Sequence, residues 1–375
     1  MGLKQAMQWS ALAAVGMLSL CCRATAAVKS DVWGAAHGKP VKLFVLSDRA
    51  VRVRLTEYGA RIVSIDAPDR SGQRTDIVLG YNNLAQYVDD PKDFFGAVVG
   101  RYANRIAKGT FSLDGTTYHI PLNSNGNALH GGPAGFSSKV WRGRVLGNHS
   151  VEFTLISPDG DMGFPGALTV RVRYSLVRNE LRIDYGATTT KATVVNLTNH
   201  TYFNLAGESS GDVLGQEIRI NADQITPIDA SLIPTGEMRS VADTPFDLRQ
   251  LAPIGSRIGD NDEQLRRAGG YDHNFVVNGR AGNLREAAFA LDPKSGRTLT
   301  VLTTQPGVQF YSGNFLNGSH AGYSGALYRQ HDGFCLETQH FPDSPNRAEF
   351  PSTVLRPGER LHSVTVFVFG VAPAH

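Results

Sequence analysis

Thr110-Phe111-Ser112-Leu113-Asp114-Gly115-Thr116-Thr117-Tyr118-His119-Ile120 reads as a β-hairpin. Asp114-Gly115 is a two-residue turn whose positive φ values match the twist of the strands it joins. The flanking runs, 110–113 and 117–120, are short and rich in β-branched and aromatic residues. The same pattern extends in both directions. Strand-like runs at 41–46, 51–55 and 61–65 precede the hairpin, and 151–156, 168–176 and 181–185 follow it, with 177–180 as the turn of a second hairpin. Further runs lie at 217–220, 299–303, 307–311, 334–339 and 363–369. Helical spacing is confined to a turn or two at 262–267. The 40 Gly and 18 Pro lie mostly between the runs, as turns in a large antiparallel β-sandwich require. The expected fold is therefore all-β. No repeat, low-complexity segment or linker divides the chain, and its polar motifs spread from residue 100 to 346 as if converging on one site. One domain over 27–375 is expected.

The first 26 residues carry an export signal pattern. Lys4 supplies a basic start, residues 9–22 an apolar stretch too short to span a bilayer, and Ala24-Thr25-Ala26 a small-x-small cleavage site before Ala27. A lipoprotein signal at Leu18-Ser19-Leu20-Cys21 is less well matched, because bulky Leu20 stands where a small residue is usual. The chain is expected to be exported, periplasmic or secreted, with no membrane attachment after cleavage. Removing Lys4 and Arg23 takes the net charge from +3 to +1. With no Lys/Arg run, that balance argues against nucleic acid as a partner. Cys21 and Cys22 leave with the signal, so Cys335 remains alone and no intrachain disulfide is possible in the mature chain. Cys335 reads as a small buried hydrophobe in a strand rather than a nucleophile.

Two strand-like runs carry the chemistry. In Gly333-Phe334-Cys335-Leu336-Glu337-Thr338-Gln339, Glu337 shares a strand face with Gln339. A carboxylate there is expensive to desolvate unless it has partners or a task. In Val195 to Leu205, the even positions Asn196, Thr198, His200, Tyr202 and Asn204 would make one face wholly polar, with His200 at its centre. Solvated strand faces usually carry Lys, Glu and Arg, and these residues are short-chained and uncharged. Glu337 and His200 therefore suggest an acid–base pair in a polar cleft.

Four further motifs accompany them. Asn104 and Arg105 in Gly100-Arg101-Tyr102-Ala103-Asn104-Arg105 are adjacent and cannot share a face of a regular strand, yet both could reach a ligand at a bend. A structural ion pair and a turn explain them equally well. Gly131-Gly132 permits close backbone approach and could present His130 at a cleft rim, although a His beside glycines is more often a loop residue. Asp272, in Tyr271-Asp272-His273-Asn274-Phe275, could accept from two sugar hydroxyls or form an Asx turn. Gln309 is an amide embedded in the strand Pro306 to Tyr311. The chain has 11 His but no His-x-x-x-His, Cys-x-x-Cys or His-x-Glu pattern, no phosphate loop and no Gly-x-Ser-x-Gly elbow. No metal is expected.

Together these residues resemble the aldose 1-epimerases, or galactose mutarotases. The likeness runs from about Gly34 to the C-terminus, with landmarks at GRYANRIAKG (100–109), LHGG (129–132), NLTNHTYFNLAG (196–207), IPTGE (233–237), YDHNF (271–275), PGVQFY (306–311) and FCLETQHFPDSPN (334–346). The resemblance implies a sandwich of the galactose mutarotase type. It implies cofactor-free interconversion of the α and β anomers of free aldohexoses such as glucose and galactose. By motif, Glu337 looks like the general base and His200 the general acid, with His130 a second histidine near the ring oxygen. Asn104, Arg105, Asp272 and Gln309 look like sugar-binding residues. The reaction needs Glu337 ionised and His200 protonated, and opposite charges in one cleft are expected to hold both in those states. No extra basic cluster points to a hexose 6-phosphate. Two alternatives stand beside this reading: a non-catalytic hexose-binding protein on the same fold, and a glycoside hydrolase using Glu337 and Asp272 as paired carboxyls.

Overall fold

The computed structural model describes residues 28–48, 50–90, 92–319 and 321–373; the expected signal segment, 1–26, lies outside them. Thr110–Leu113 and Thr116–His119 pair antiparallel, with Phe111 opposite Tyr118. Asp114 and Gly115 take φ values of 49° and 78°, as the two-residue turn demands. The second hairpin forms as well: Leu168–Val177 runs against Glu180–Thr189, closing where Val177 meets Glu180.

Three sheets dominate, and every pairing within them is antiparallel. A nine-stranded sheet takes the order Arg142–Leu146, Ser150–Ser157, Leu168–Val177, Glu180–Thr189, Leu361–Val371, Arg297–Thr303, Arg285–Leu291, Glu217–Ile220, Ala252–Pro253. A six-stranded sheet takes the order Tyr202–Phe203, Phe334–Gln339, Gly307–Tyr311, Asp272–Val277, Ala222–Thr226, Arg239–Ser240. A five-stranded meander spans Lys29–Ala36 to Arg74–Asp76. The result is a large antiparallel β-sandwich.

Strand alternation builds the core. Along Leu168–Val177, residues Leu168, Val170, Val172, Tyr174 and Leu176 are buried while Arg171 and Arg173 face solvent. These apolar faces join Phe275, Phe310, Phe334 and Leu336 of the six-stranded sheet in one core. The Phe334–Gln339 strand is buried on its other face too, so Glu337 lies inside the protein.

Two expectations need correction. The 195–205 run is not one strand. It breaks into Thr198–His200 and Tyr202–Phe203, each paired to a different segment. Its amides therefore do not line one face. Asn196 bonds the carbonyls of Ala103 and His340, Asn199 that of Gly96, and Asn204 those of Gly211 and Asp332. They tether loops, and the buried backbone groups they satisfy explain their polarity. The second correction is a helix, Leu84–Asp89, that its length hid. It is capped by Asn83 and buries only Leu84 and Tyr87. The expected helical turn forms at Glu263–Ala268, between an Asp262 cap and left-handed Gly269.

Candidate active site

Three neighbouring strands of the six-stranded sheet carry a polar rung. Register sets Asn274 opposite Gln309, and Gln309 opposite Glu337. Directly paired residues project from the same face, here the one turned away from Phe275, Phe310 and Leu336 in the core. The next rung aligns Asp272, Tyr311, Cys335 and Tyr202.

A cleft of about 520 Å³, counted with its open mouth, lies over this face. Asn104, Arg105, His130, His200, Asp272 and Glu337 all line it. Gln309 is the one nominated residue that does not. It stands behind Asp272, donating from Nε2 to Oδ1 at 2.7 Å. The other Asp272 oxygen lies 3.5 Å from Nη1 of Arg105. Asp272 is thus held as a fixed acceptor by an amide and a cation.

Backbone geometry explains how adjacent Asn104 and Arg105 both reach the cleft. Asn104 has φ of 60°, a left-handed conformation that Asn tolerates better than most residues. Its Oδ1 accepts the N–H of Arg105 at 2.9 Å. His130 and Asn104 exchange two bonds: the N–H of His130 donates to the Asn104 carbonyl at 3.0 Å, and the N–H of Asn104 donates to His130 Nδ1 at 3.1 Å. Gly131 follows at φ of 86°, and a Cβ there would collide with the carbonyl of Gly100. The loop can seat His130 this deeply only because residue 131 has no side chain.

His200 is bracketed by two side chains of one strand face. Its Nε2 lies 3.6 Å from Glu337 Oε1, and its Nδ1 lies 3.6 Å from Cys335 Sγ. The expected partners therefore do meet. Their charge states differ from expectation. Burial pushes Glu337 well above the usual carboxyl range, helped by nearby Asp272 and opposed by Arg105. Burial also drives His200 down to about 3. A 3.6 Å contact counts as an ion pair only if His200 is protonated, and on the protein's own groups desolvation outweighs mutual attraction. The neutral pair is the state favoured by the enclosed site. Burial, then the neighbouring His200 and Arg105, also hold His130 well below its ordinary value.

His130, His200 and Glu337 each offer a ligand atom within 4.8 Å of the others. The set nevertheless fits a resident metal poorly. Nδ1 of His130 accepts a backbone N–H, so the neutral ring carries its proton on Nε2. Binding a cation at Nε2 would move that proton to Nδ1, facing another donor.

Sequence reasoning missed the aromatic lining. Phe94 packs on His130 and His200, with ring centroids at 4.7 and 5.7 Å. Phe315 is 57% exposed at the mouth and stacks on Tyr311 at 5.8 Å. Tyr311 was discoverable, since it alternates with Gln309. Phe94 and Phe315 sit in loops with no periodicity to place them.

Known proteins are similar to this chain over most of its length. The sequence family described as aldose 1-epimerase matches residues 42–368. Human galactose mutarotase is 46% identical over 349 residues, covering 92% of this chain and 100% of the human protein. Aldose 1-epimerase of Escherichia coli K12 is 40% identical, covering 89% of this chain and 97% of that protein. The crystal structure of galactose 1-epimerase from Lactobacillus acidophilus superposes with a TM-score of 0.81 at 28% identity, covering 92% of this chain and 99% of that one.

Proposed function

The chain belongs to the aldose 1-epimerase family, and from that membership we propose how its own residues divide the work of interconverting the anomers of a free aldohexose. It is an enzyme of the epimerase class, a mutarotase. The closed sugar binds with its anomeric hydroxyl at Glu337 and its ring oxygen at His200. Glu337 takes the hydroxyl proton while His200 delivers one to the ring oxygen. The C1–O5 bond breaks, and C1 becomes the aldehyde carbon. Rotation about C1–C2 turns the other face of the carbonyl to the C5 hydroxyl. Closure then reverses both transfers: Glu337 returns its proton to O1, and His200 recovers one from O5.

Before opening, the pair is a carboxylate and an imidazolium; after opening, a carboxylic acid and a neutral imidazole. Both states hold the same number of protons. The enclosed site favours the second, the state that accompanies the open-chain intermediate, so the ionised pair forms within the complex before the ring opens. Arg105, Asn104 and Asp272 anchor the hydroxyls, and His130 offers its Nε2–H beside the reacting oxygens.

One observation carries these roles: His200 Nε2 stands 3.6 Å from Glu337 Oε1 inside a cleft lined by the sugar-binding set. Polarimetry of freshly dissolved α-D-glucose and α-D-galactose tests them. The wild-type chain should hasten equilibration, while folded Glu337→Gln and His200→Asn should not. Full activity of Glu337→Gln overturns the assignment.

We also propose that the enzyme acts outside the cytoplasm, supported by the signal pattern at residues 1–26. N-terminal sequencing of the fractionated protein tests this; a chain retained in the cytoplasm with residues 1–26 intact overturns it.

A further inference from the structure

Behind the cleft, the same strand face holds polar groups that no step of ring opening uses. Asn274, Gln309 and Gln339 are almost wholly buried. Both amide atoms of Asn274, both of Gln339, Oε1 of Gln309 and Oε2 of Glu337 have no hydrogen-bond partner within the protein. Register explains their gathering. Asn274, Gln309 and Glu337 form one rung, and Gln339 lies opposite Gly307 on the next. A Cβ on Gly307 would collide with Oδ1 of Asn274 and meet the Phe341 ring at 3.0 Å. The Asn274 carboxamide therefore leans across the bare backbone of Gly307 toward the Gln339 strand, with Phe341 as the wall. Gln339, Gln309 and Asn274 are absent from the cleft lining, so a sugar seated there leaves them unpartnered.

Six buried polar atoms without protein partners are costly unless something small and polar joins them. Their chemistry suits enclosed water, which makes about three bonds to such groups. We propose that Asn274 and Gln339 are positioning residues that, through enclosed water over Gly307, hydrogen-bond Oε2 of Glu337 and so hold and stabilise the carboxylate whose Oε1 faces His200. The bonds act on the oxygen that the sugar and His200 leave unused. They favour the ionised carboxyl, opposing the effect of burial. Ring opening starts from that ionised form, so the amides set how much of the enzyme is ready to react. Gln309 cannot substitute, because its Nε2 is committed to Asp272.

This inference rests on Glu337 being the base. Its test reads that carboxyl directly, by infrared titration of the C=O band that Glu337→Gln removes. Gln339→Met and Asn274→Leu delete the amides with little change of volume. Each should raise the Glu337 titration midpoint by about one pH unit and lower kcat at pH 7 about tenfold, with KM within about twofold. An unmoved midpoint in both variants overturns the inference, whatever happens to their stability. The two failures are distinguishable. An active Glu337→Gln enzyme removes the base assignment, whereas an inactive one beside unmoved midpoints removes only the role of the amides.

Discussion

The backbone N–H of Asn104 donates to Nδ1 of His130 across 3.1 Å, and this bond decides which nitrogen of the ring carries its proton. The motif proposed to supply a sugar contact thereby also sets the tautomer of a histidine 26 positions later. His130 is left with a single donor, Nε2–H, for the cleft.

The first prediction concerns that tautomer. Nitrogen-15 spectra at neutral pH should show His130 protonated on Nε2 alone. A proton on Nδ1 would mean that the Asn104 bond is absent in solution, and with it the ordering of the histidine loop.

A second prediction concerns coupling. In the proposed mechanism, Glu337 and His200 exchange protons with one substrate in one event. Removing either should lower kcat by about 10²–10⁴-fold. The double variant should be little worse than the weaker single variant, because residues acting as a unit are not additive. Multiplicative losses in kcat would show two independent contributions.

The pH profile offers a third. The working pair holds one proton. Acid adds a second when His200 is protonated, and alkali removes the last when Glu337 ionises. Burial lowers His200 to about 3 and raises Glu337, so the acid limb moves down and the alkaline limb moves up. kcat/KM should be flat from about pH 5 through neutrality, with an alkaline fall set by Glu337. An unperturbed pair would instead lose activity above about pH 6.5. A decline between pH 6.5 and 8 that tracks His200 would refute the neutral ground state.

Stability should respond to pH through the same burial. His200 and His273 are driven down to about 3, His340 to about 4, and His130 well below its usual value. Their folded pKa values lie below the unfolded ones, so the stability they give is present above about pH 6.5 and is lost as pH falls. Glu337 and Asp76 are raised by burial; their contribution is present below about pH 4.5 and is lost as pH rises. Asp332 and Asp343 are raised as well, less strongly. The depressed histidines set the acid side, so stability should peak near neutrality and fall toward pH 5. Urea midpoints at pH 5 and 7 measure this; an equal or higher midpoint at pH 5 contradicts it.

Much of this was legible in the chain. Period-2 alternation and Asp114-Gly115 announced antiparallel sheets, because side-chain direction and turn geometry are local properties. Glu337 stood out because a carboxyl in a buried strand needs a reason. The polar run around His200 misled, because three of its amides satisfy loop backbone, and only the assembled fold reveals which carbonyls need donors. Gln309 was placed one layer too far forward: alternation gives a face but not the depth at which a side chain ends. The protonation of the Glu337–His200 pair was missed for a related reason. Attraction between two charges can be inferred from a pattern, whereas their desolvation depends on everything packed above them.

Cys335, finally, works as an internal clock. Its thiol is fully enclosed beside His200, and burial with the nearby acidic groups raises its pKa well above the ordinary range. Alkylating reagents attack thiolates they can touch, and this sulfur meets neither condition while the sheet is closed. Among the described residues it is the only free cysteine. Its labelling rate therefore reports how often the strand bearing Glu337 opens, and a sugar that binds the cleft should slow that rate in proportion to its occupancy.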